Sequence, residues 1–416
     1  LDYKNISLLK KKHLYYKYLQ YWDGVINKLK PDVIIMRSVP HAAYNFVIYC
    51  LAKKYNIKTI MFEGTVFKDY IMVVEDYKKA SVELYKIYQK IREENYSPSE
   101  LGPEKEEYYK KLIDLESDVT PQAKTEIISK MNEPLKIIPS FSKIIKNIKS
   151  GNFFSASKYY LKSVFNKTKT PIFTIDENDK EDYRNIYHLR RIKKITDMYR
   201  REYKEFETDV NYNKKYLYFP MHYQPECNTS PMADYFVDQI LLIKTLSAAL
   251  PPDWLIYIKE HIVQWNIHNA QAHLYRYQGY YKEIASLKNA YLLAPEISSY
   301  DLIAHAQAVA TATGTAGWEA IARNKPALIF GYPWYMYCDG VFQVKDVLSC
   351  KRAIEKIQAG FTPDAQKVLN YLIALDKITI KANIMPYHQK NSTFPMEKSV
   401  QNITNLICEK INKVEL

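Results

Sequence analysis

Apolar residues recur at helical spacing from residue 8 to 30, and at Pro31 the period changes. The stretch PDVIIMR is a run of branched apolar residues suited to a strand covered on both faces. AAYNFVIYCLAKKYNI returns to a helical period, and KTIMFEG (58–64) is a second strand. Strand, helix and strand in succession predict an α/β unit with parallel strands. From 75 to 130 the pattern turns charged and helical, and 180 to 210 reads as one more long charged helix. The second half alternates more regularly. YLYFP (216–220), WLIYIKE (254–260), AYLLA (290–294), AVATAT (308–313) and PALIF (326–330) read as strands, separated by helical patterns at 232–250, near 270–287, from Tyr300 and from Thr315. Five strands with four intervening helices predict a doubly wound, Rossmann-like sheet, whose ligands bind outside the carboxyl ends of the strands. Nothing repeats at the 20- to 50-residue period of a solenoid.

The expected division follows. Residues 1–75 form an α/β unit, 76–210 a helical and basic insertion, 211–350 a second α/β unit, and 351–416 helices that pack back across the junction. The chain opens on Leu1 rather than Met and has no apolar leader, so it reads as trimmed ahead of its first strand. At 416 residues it exceeds what one core usually encloses. No uncharged apolar run approaches the roughly 20 residues of a membrane span. Five cysteines without CxxC spacing argue against a disulfide framework or a zinc site and fit a reducing cytoplasm.

The net charge of +13 calls for an anionic partner. Its densest part is 134–170, where eight lysines and no acid are interleaved with Ile, Phe, Tyr and Leu. That composition reads as a basic amphipathic surface for an anionic membrane, against the plainer alternative of a solvated helical face over the core. Nucleic acid is disfavoured, since no RNP, KH or zinc-finger signature accompanies the charge.

The chemistry-bearing residues fall where strands end. Thr313, Gly314, Thr315, Ala316 and Gly317 form a strand-to-helix turn whose first amides lack intrahelical partners and suit an anion, with the Thr313 and Thr315 hydroxyls as further donors. Glu319, one turn on, has the reach for ribose hydroxyls. The glycines can equally serve close helix–strand packing. Neither GxGxxG nor a P-loop is present. HYQPE places His222, Gln224 and Glu226 after the first strand of this half, and KEH places Lys259, Glu260 and His261 after the second. A charged triplet ending an apolar strand suggests a site. Ser299 reads first as a helix N-cap and second as a ligand contact. His261, His268 and His273 are not spaced to share a helical face, so no metal site is expected. In the first half RSVPH and EGT place Arg37, His41 and Glu63 at strand ends, where two titratable groups can share a proton transfer. The structural alternatives are a helix cap for His41 and a lysine partner for Glu63. No GxSxG or HExxH pattern supports a hydrolase.

YFPMHYQPE, YIKEH, SSYDLIAHAQAVATATGTAGWEAIARNKPALIFGYPWY, RSVPH and IMFEGT together resemble bacterial capsule-polysaccharide biosynthesis proteins, which are similar to the GT-B glycosyltransferases of surface-glycan assembly, including users of CMP-activated Kdo, sialic or pseudaminic acids. The resemblance covers about 30–75 and 214–345. It implies an α/β, GT-B-like fold of two Rossmann-like domains facing a cleft, the donor nucleotide held by the second and the acceptor by the first. It matches His261 to the family's His-Pro histidine, with Ile262 standing in place of the proline, Thr313–Gly317 to its phosphate loop and Glu319 to the glutamate after that loop. His222, Gln224, Glu226, Lys259, Glu260 and Ser299 would complete the donor site, with His41 or Glu63 deprotonating the acceptor. A nucleotide sugar as substrate, a glycan or lipid-linked glycan acceptor, no metal and no separate cofactor are implied, with the enzyme in the cytoplasm, free or peripheral on the inner face of the membrane. A sugar-nucleotide 2-epimerase and a non-catalytic glycan- or nucleotide-binding assembly subunit are the alternatives.

Overall fold

The protein is described here by a computed structural model covering residues 7–114, 150, 186–265, 272–384 and 392–412, with backbone alone at 186–191 and at 272. Apart from Ser150, the basic stretch 134–170 lies outside the described residues, as does His268. Among the described residues no helix is long and apolar enough to cross a membrane.

Ser7 caps α1 (Leu8–Leu29), which leads into β1 (Val33–Met36), α2 (Ala43–Lys54) and β2 (Lys58–Gly64). β1 and β2 pair in parallel, Val33 opposite Lys58, as the strand–helix–strand pattern predicts. β1 is nevertheless covered unevenly: Ile34 and Met36 pack on one face and Val33 on the other, where Ile35 stays 47% exposed. The next strand, β3 (Tyr70–Val74), is antiparallel to β2. Residues 65–69 are too few for the crossover that a parallel strand requires, so the chain doubles back. Thr65 closes that turn by donating to Phe67 O and Tyr70 O. With β11 (Ile380–Lys381) added antiparallel to β3, the first sheet has the order β1-β2-β3-β11 and is mixed rather than parallel.

β2 and β3 alternate between two cores. Ile60, Phe62, Ile71 and Val73 face one way, onto a small cluster completed by Leu406 of α12 (Met396–Asn412). Met61, Met72 and Val74 face the other way, into a larger cluster with α3 (Val82–Ile91), α4 (Pro103–Ile113) and the second half of the chain. Glu63, two residues beyond Met61, therefore lies on the face of β2 turned toward the second half.

The second sheet holds β4 (Glu207–Thr208), β5 (Lys215–Pro220), β6 (Trp254–Lys259), β7 (Ala290–Leu293), β8 (Ala308–Thr311), β9 (Ala327–Ile329) and β10 (Val341–Gln343), in the order β10-β9-β8-β5-β6-β7-β4 and parallel throughout. From β5 the chain steps outward through β6 to β7, then returns to the other side of β5 for β8 and continues outward. The reversal between β5 and β8 is the topological switch point of a doubly wound sheet.

Both faces are covered, which is why β5 reads as an unbroken apolar run with Tyr216, Leu217, Tyr218 and Phe219 all fully buried. Leu217 and Phe219 meet α5 (Ile186–Glu205), α6 (Gln239–Ala249), α7 (Tyr280–Ala285) and α10 (Val347–Gln358). Tyr216 and Tyr218 meet α8 (Ser299–His305) and α9 (Thr315–Ala322) on the opposite face. α6 begins at Gln239, later than the pattern from 232 suggests, because Asp238 caps it by accepting from Ile240 N and Leu241 N. After α10 the chain returns to the first half through α11 (Ala365–Ile378), whose Tyr371, Leu372 and Leu375 enter the cluster shared by the two sheets.

Candidate functional site

At the switch point the side chain of His222 spans from the end of β5 to the end of β8. Its Nε2 accepts from Ala312 N at 2.9 Å and faces Thr311 Oγ1 at 3.0 Å. A backbone N–H can only donate, so Nε2 is the acceptor nitrogen, and a neutral ring carries its proton on Nδ1. The ring is neutral: burial, helped by the Arg276 charge, lowers its pKa from 6.5 to about 4. Nδ1 lies beside Gly314, where a β-carbon would stand 3.5 Å from it, 2.9 Å from Cε1 and 2.9 Å from Thr311 Oγ1. Gly314 thus keeps the Nδ1 edge of the ring clear.

Gly314 is the N-cap residue of α9, in extended backbone and with no side-chain cap. Its own amide donates to Thr311 Oγ1 at 3.0 Å, and its carbonyl accepts from Gly317 N and from the Tyr335 hydroxyl. The amides of Thr315 and Ala316 follow at the open end of the helix, Thr315 being exposed and Ala316 partly buried. Gly317 faces the other way: any β-carbon there would run into the buried Tyr335 hydroxyl, so this glycine serves packing. Thr313 donates its hydroxyl to Asn228 O at 2.6 Å, which ties the turn to the loop after β5 and leaves its oxygen only acceptor capacity.

The remaining residues divide between crevice and interior. Lys259 ends β6 and donates to Ile297 O and to Ser299 Oγ, both at 2.6 Å. Ser299 also meets the Tyr218 hydroxyl at 3.1 Å, while the cap of α8 is Ser298, whose Oγ accepts from Asp301 N. The N-cap expected at Ser299 therefore sits one residue earlier, and Ser299 belongs to the Lys259 cluster. The Glu319 carboxylate, partly buried on α9, acts after burial itself in raising the phenol of Tyr335. His261 Nδ1 accepts from Val263 N at 3.3 Å, and its ring lies 5.6 Å from that of Tyr223. Glu226 is exposed on the loop after β5.

Gln224 and Glu260 point inward instead. Glu260 is 1% exposed and receives Arg276 on both oxygens, at 2.7 and 2.9 Å, together with the Tyr281 hydroxyl at 2.6 Å. Gln224 Oε1 accepts from Gln239 Nε2 at 2.8 Å and from Arg276 Nη1 at 3.0 Å. The expectation that every polar residue of HYQPE and KEH turns to the crevice fails for two reasons: Glu260 faces opposite to its neighbours Lys259 and His261 at the end of β6, and Gln224, in the loop beyond β5, is turned inward by its bonds to Gln239, Gln264 and Arg276. Arg276, Gln239 and Tyr281 were not singled out in the sequence, since an arginine among tyrosines carries no spacing signal.

From the first half, Glu63 is partly buried at the end of β2, and loss of hydration pushes its carboxyl up to about 7. Its charge is felt by Cys227 on the loop after β5, where burial first, then Glu63 and Glu226, push the thiol up to about 11. The Glu63 charge thus reaches the loop after β5. His41 is exposed, with Nδ1 3.3 Å from Val39 O on its own loop. Among the described residues no three His, Cys, Asp or Glu side chains gather as metal ligands.

Residues 143–344 match the model of a family described as capsule polysaccharide biosynthesis protein. No curated protein matches the chain. Among solved structures, the beta Kdo 2,7 transferase KpsC of Thermosulfurimonas dismutans is similar at 11% identity over 97% of each chain, with a TM-score of 0.35. The UDP-GlcNAc 2-epimerase of Methanocaldococcus jannaschii is similar at 12% identity over 85% of this chain and 77% of its own, with a TM-score of 0.25. The UDP-GlcNAc 2-epimerase of Neisseria meningitidis stands at 11%, 89%, 82% and 0.24 in the same terms. Likenesses this faint carry no argument about activity. The family match is more informative, because it takes in the second sheet from β4 to β10 and with it the switch point. Over that stretch the chain is related to the capsule polysaccharide biosynthesis proteins that its motifs resemble.

Proposed function

We propose that this protein is a glycosyltransferase that passes a sugar from a CMP- or UDP-activated donor to a hydroxyl of a growing cell-surface polysaccharide. The observation that carries the reading is the arrangement at the switch point. A neutral histidine with its proton on Nδ1 and the open amides of α9 lie at the ends of adjacent strands, and the charge of a carboxyl of raised pKa, Glu63, is felt on the loop after β5.

The donor phosphate takes the Thr315 and Ala316 amides, whose helix dipole favours negative charge by roughly 0.3 to 2 kcal/mol, and His222 Nδ1–H as a further donor. His261 and Lys259 supply donors from the neighbouring strand end, and Glu319 takes the ribose hydroxyls. Fixed dipoles of this kind stabilise charge on the leaving nucleotide as the glycosidic bond breaks, with no call on a metal. Glu63 removes the proton from the acceptor hydroxyl, the task for which a pKa near 7 is suited. His41, exposed on its loop, orients the acceptor. The acceptor is lipid-linked, and 134–170 holds the enzyme to an anionic leaflet; absence of co-sedimentation with anionic liposomes at low salt would reject that contact.

Calorimetry with CMP, CDP, UDP and GDP tests the core of the reading, with CMP or UDP expected to bind and no binding by any of the four counting against it. Donor is then incubated with and without acceptor glycan. Transfer only when acceptor is present supports the proposal, an isomerised sugar from donor alone indicates an epimerase, and binding without turnover indicates an assembly subunit.

A further inference from the structure

Behind the switch point lies a polar lattice sealed from solvent. Arg276 and Glu260 have side chains 0% exposed and pair through two hydrogen bonds, Nε to Oε2 at 2.7 Å and Nη2 to Oε1 at 2.9 Å. The carboxylate also accepts from His261 N at 2.7 Å, so the pair grips the residue that carries one crevice histidine. The third guanidinium nitrogen, Nη1, donates to Gln224 Oε1, which is shared with Gln239. Gln239 in turn brackets the other crevice histidine: its Oε1 accepts from His222 N at 2.7 Å and its Nε2 donates to His222 O at 3.0 Å. Gln264 joins the same two loops, accepting from Gln224 N at 2.9 Å and donating to Gln224 O.

An ion pair of this kind is a poor device for stability alone, since apolar residues of equal volume often serve a core as well or better. Its connections are what distinguish it. One guanidinium reaches the loop after β5 through Gln224 and the loop after β6 through Glu260, and each of those loops carries one histidine of the proposed donor site. A planar fork with fixed donor directions suits that task, whereas an ammonium on a flexible stem does not. We infer that Arg276 is a positioning residue, whose guanidinium sets the His222 and His261 loops in register so that both rings meet the same phosphate group. The phosphate part of this statement rests on the proposed function; the hold on the loops does not.

The test is a volume-conserving double variant, Arg276→Met with Glu260→Met, which removes both buried charges together so that neither is stranded. Its imidazole nitrogen spectrum and its affinity for CMP and for UDP are compared with those of the wild type. In the folded variant the His222 and His261 resonances should move and affinity should fall at least tenfold. Unmoved resonances overturn the inference, whether or not affinity falls, because Arg276 would then not act through those loops. Moved resonances with unchanged affinity overturn the link to phosphate. If the wild type binds neither nucleotide, the functional reading fails by itself, and the resonances alone decide whether Arg276 holds the loops. Should the double variant not fold, Arg276→Lys keeps the charge and loses the fork; the same displacement of both imidazole signals is expected, and wild-type positions would overturn the inference.

Discussion

A buried histidine that feels the charge of a guanidinium is hard to charge, and this has a consequence for folding. His222 titrates near 4 in the fold and near 6.5 when exposed, so between those values the unfolded chain binds the additional proton. Stability from this group therefore rises with pH from 4 to 6.5 and is complete above that, about 3 kcal/mol for a shift of this size. Urea denaturation at pH 4.5 and pH 7 in the wild type and in His222→Gln isolates the contribution, since all other groups cancel in the comparison; equal pH slopes would contradict it. Glu63 has the opposite sign. Its carboxyl is held protonated up to about 7, so the carboxylate that accepts a proton forms only as pH rises through that value. Turnover should climb through pH 7. Glu63→Gln should abolish that limb and lower kcat by roughly 10²- to 10⁴-fold while leaving nucleotide affinity in place. Wild-type kcat in that variant would remove Glu63 from the mechanism.

At the scale of elements, the turn from β8 into α9 depends on two glycines for different reasons. Gly314 keeps space beside His222, whereas Gly317 lets α9 close onto Tyr335. Gly317→Ala forces a methyl group onto a hydroxyl that is fully buried and committed to the Gly314 carbonyl. Overpacking of this kind costs about 1 to 3 kcal/mol. Combining it with Tyr335→Phe removes the atom in the way, so the double variant should lose less than the sum of the two single changes in a thermal-unfolding cycle. Strict additivity would show that the contact is not the cause. The turn was legible in the sequence because two glycines between apolar runs carry local information, and so did β2, β5 and β6, whose apolar runs match the strands to within a residue. Short edge strands were not legible. β4 and β11 have two residues each and no pattern of their own; they exist because β7 and β3 present open edges. The inward turn of Glu260 was equally hidden, since its partner Arg276 is sixteen positions away in the sequence and only the fold brings them together.

For the molecule as a whole, the question is what keeps Glu63 of one sheet opposite the switch point of the other. Ion pairs, hydrogen bonds and apolar packing all join the halves. Lys78 pairs with Asp234 at 2.9 Å, but the side chains are 47% and 41% exposed, and ion pairs in that setting contribute about 0 to 1 kcal/mol. The apolar cluster shared by the sheets is the stronger tie. Trp318 of α9 lies 1% exposed within it, 4.8 Å from the Trp334 ring by centroid, and donates its indole N–H to the Tyr108 hydroxyl of α4 at 3.1 Å. Removing so large a buried ring costs about 3 to 5 kcal/mol, because the walls of the cavity cannot all collapse. Trp318→Ala should therefore lower the denaturation midpoint far more than Lys78→Ala, which should fall within about 1 kcal/mol of the wild type. Because Met61 and Met72 of the first sheet share that cluster with Ile321 and Ile329 of the second half, loss of either side exposes the other. Near- and far-ultraviolet circular dichroism should consequently trace one coincident transition, and two separated transitions would mean that the gap across which Glu63 faces the crevice is set by something other than this packing.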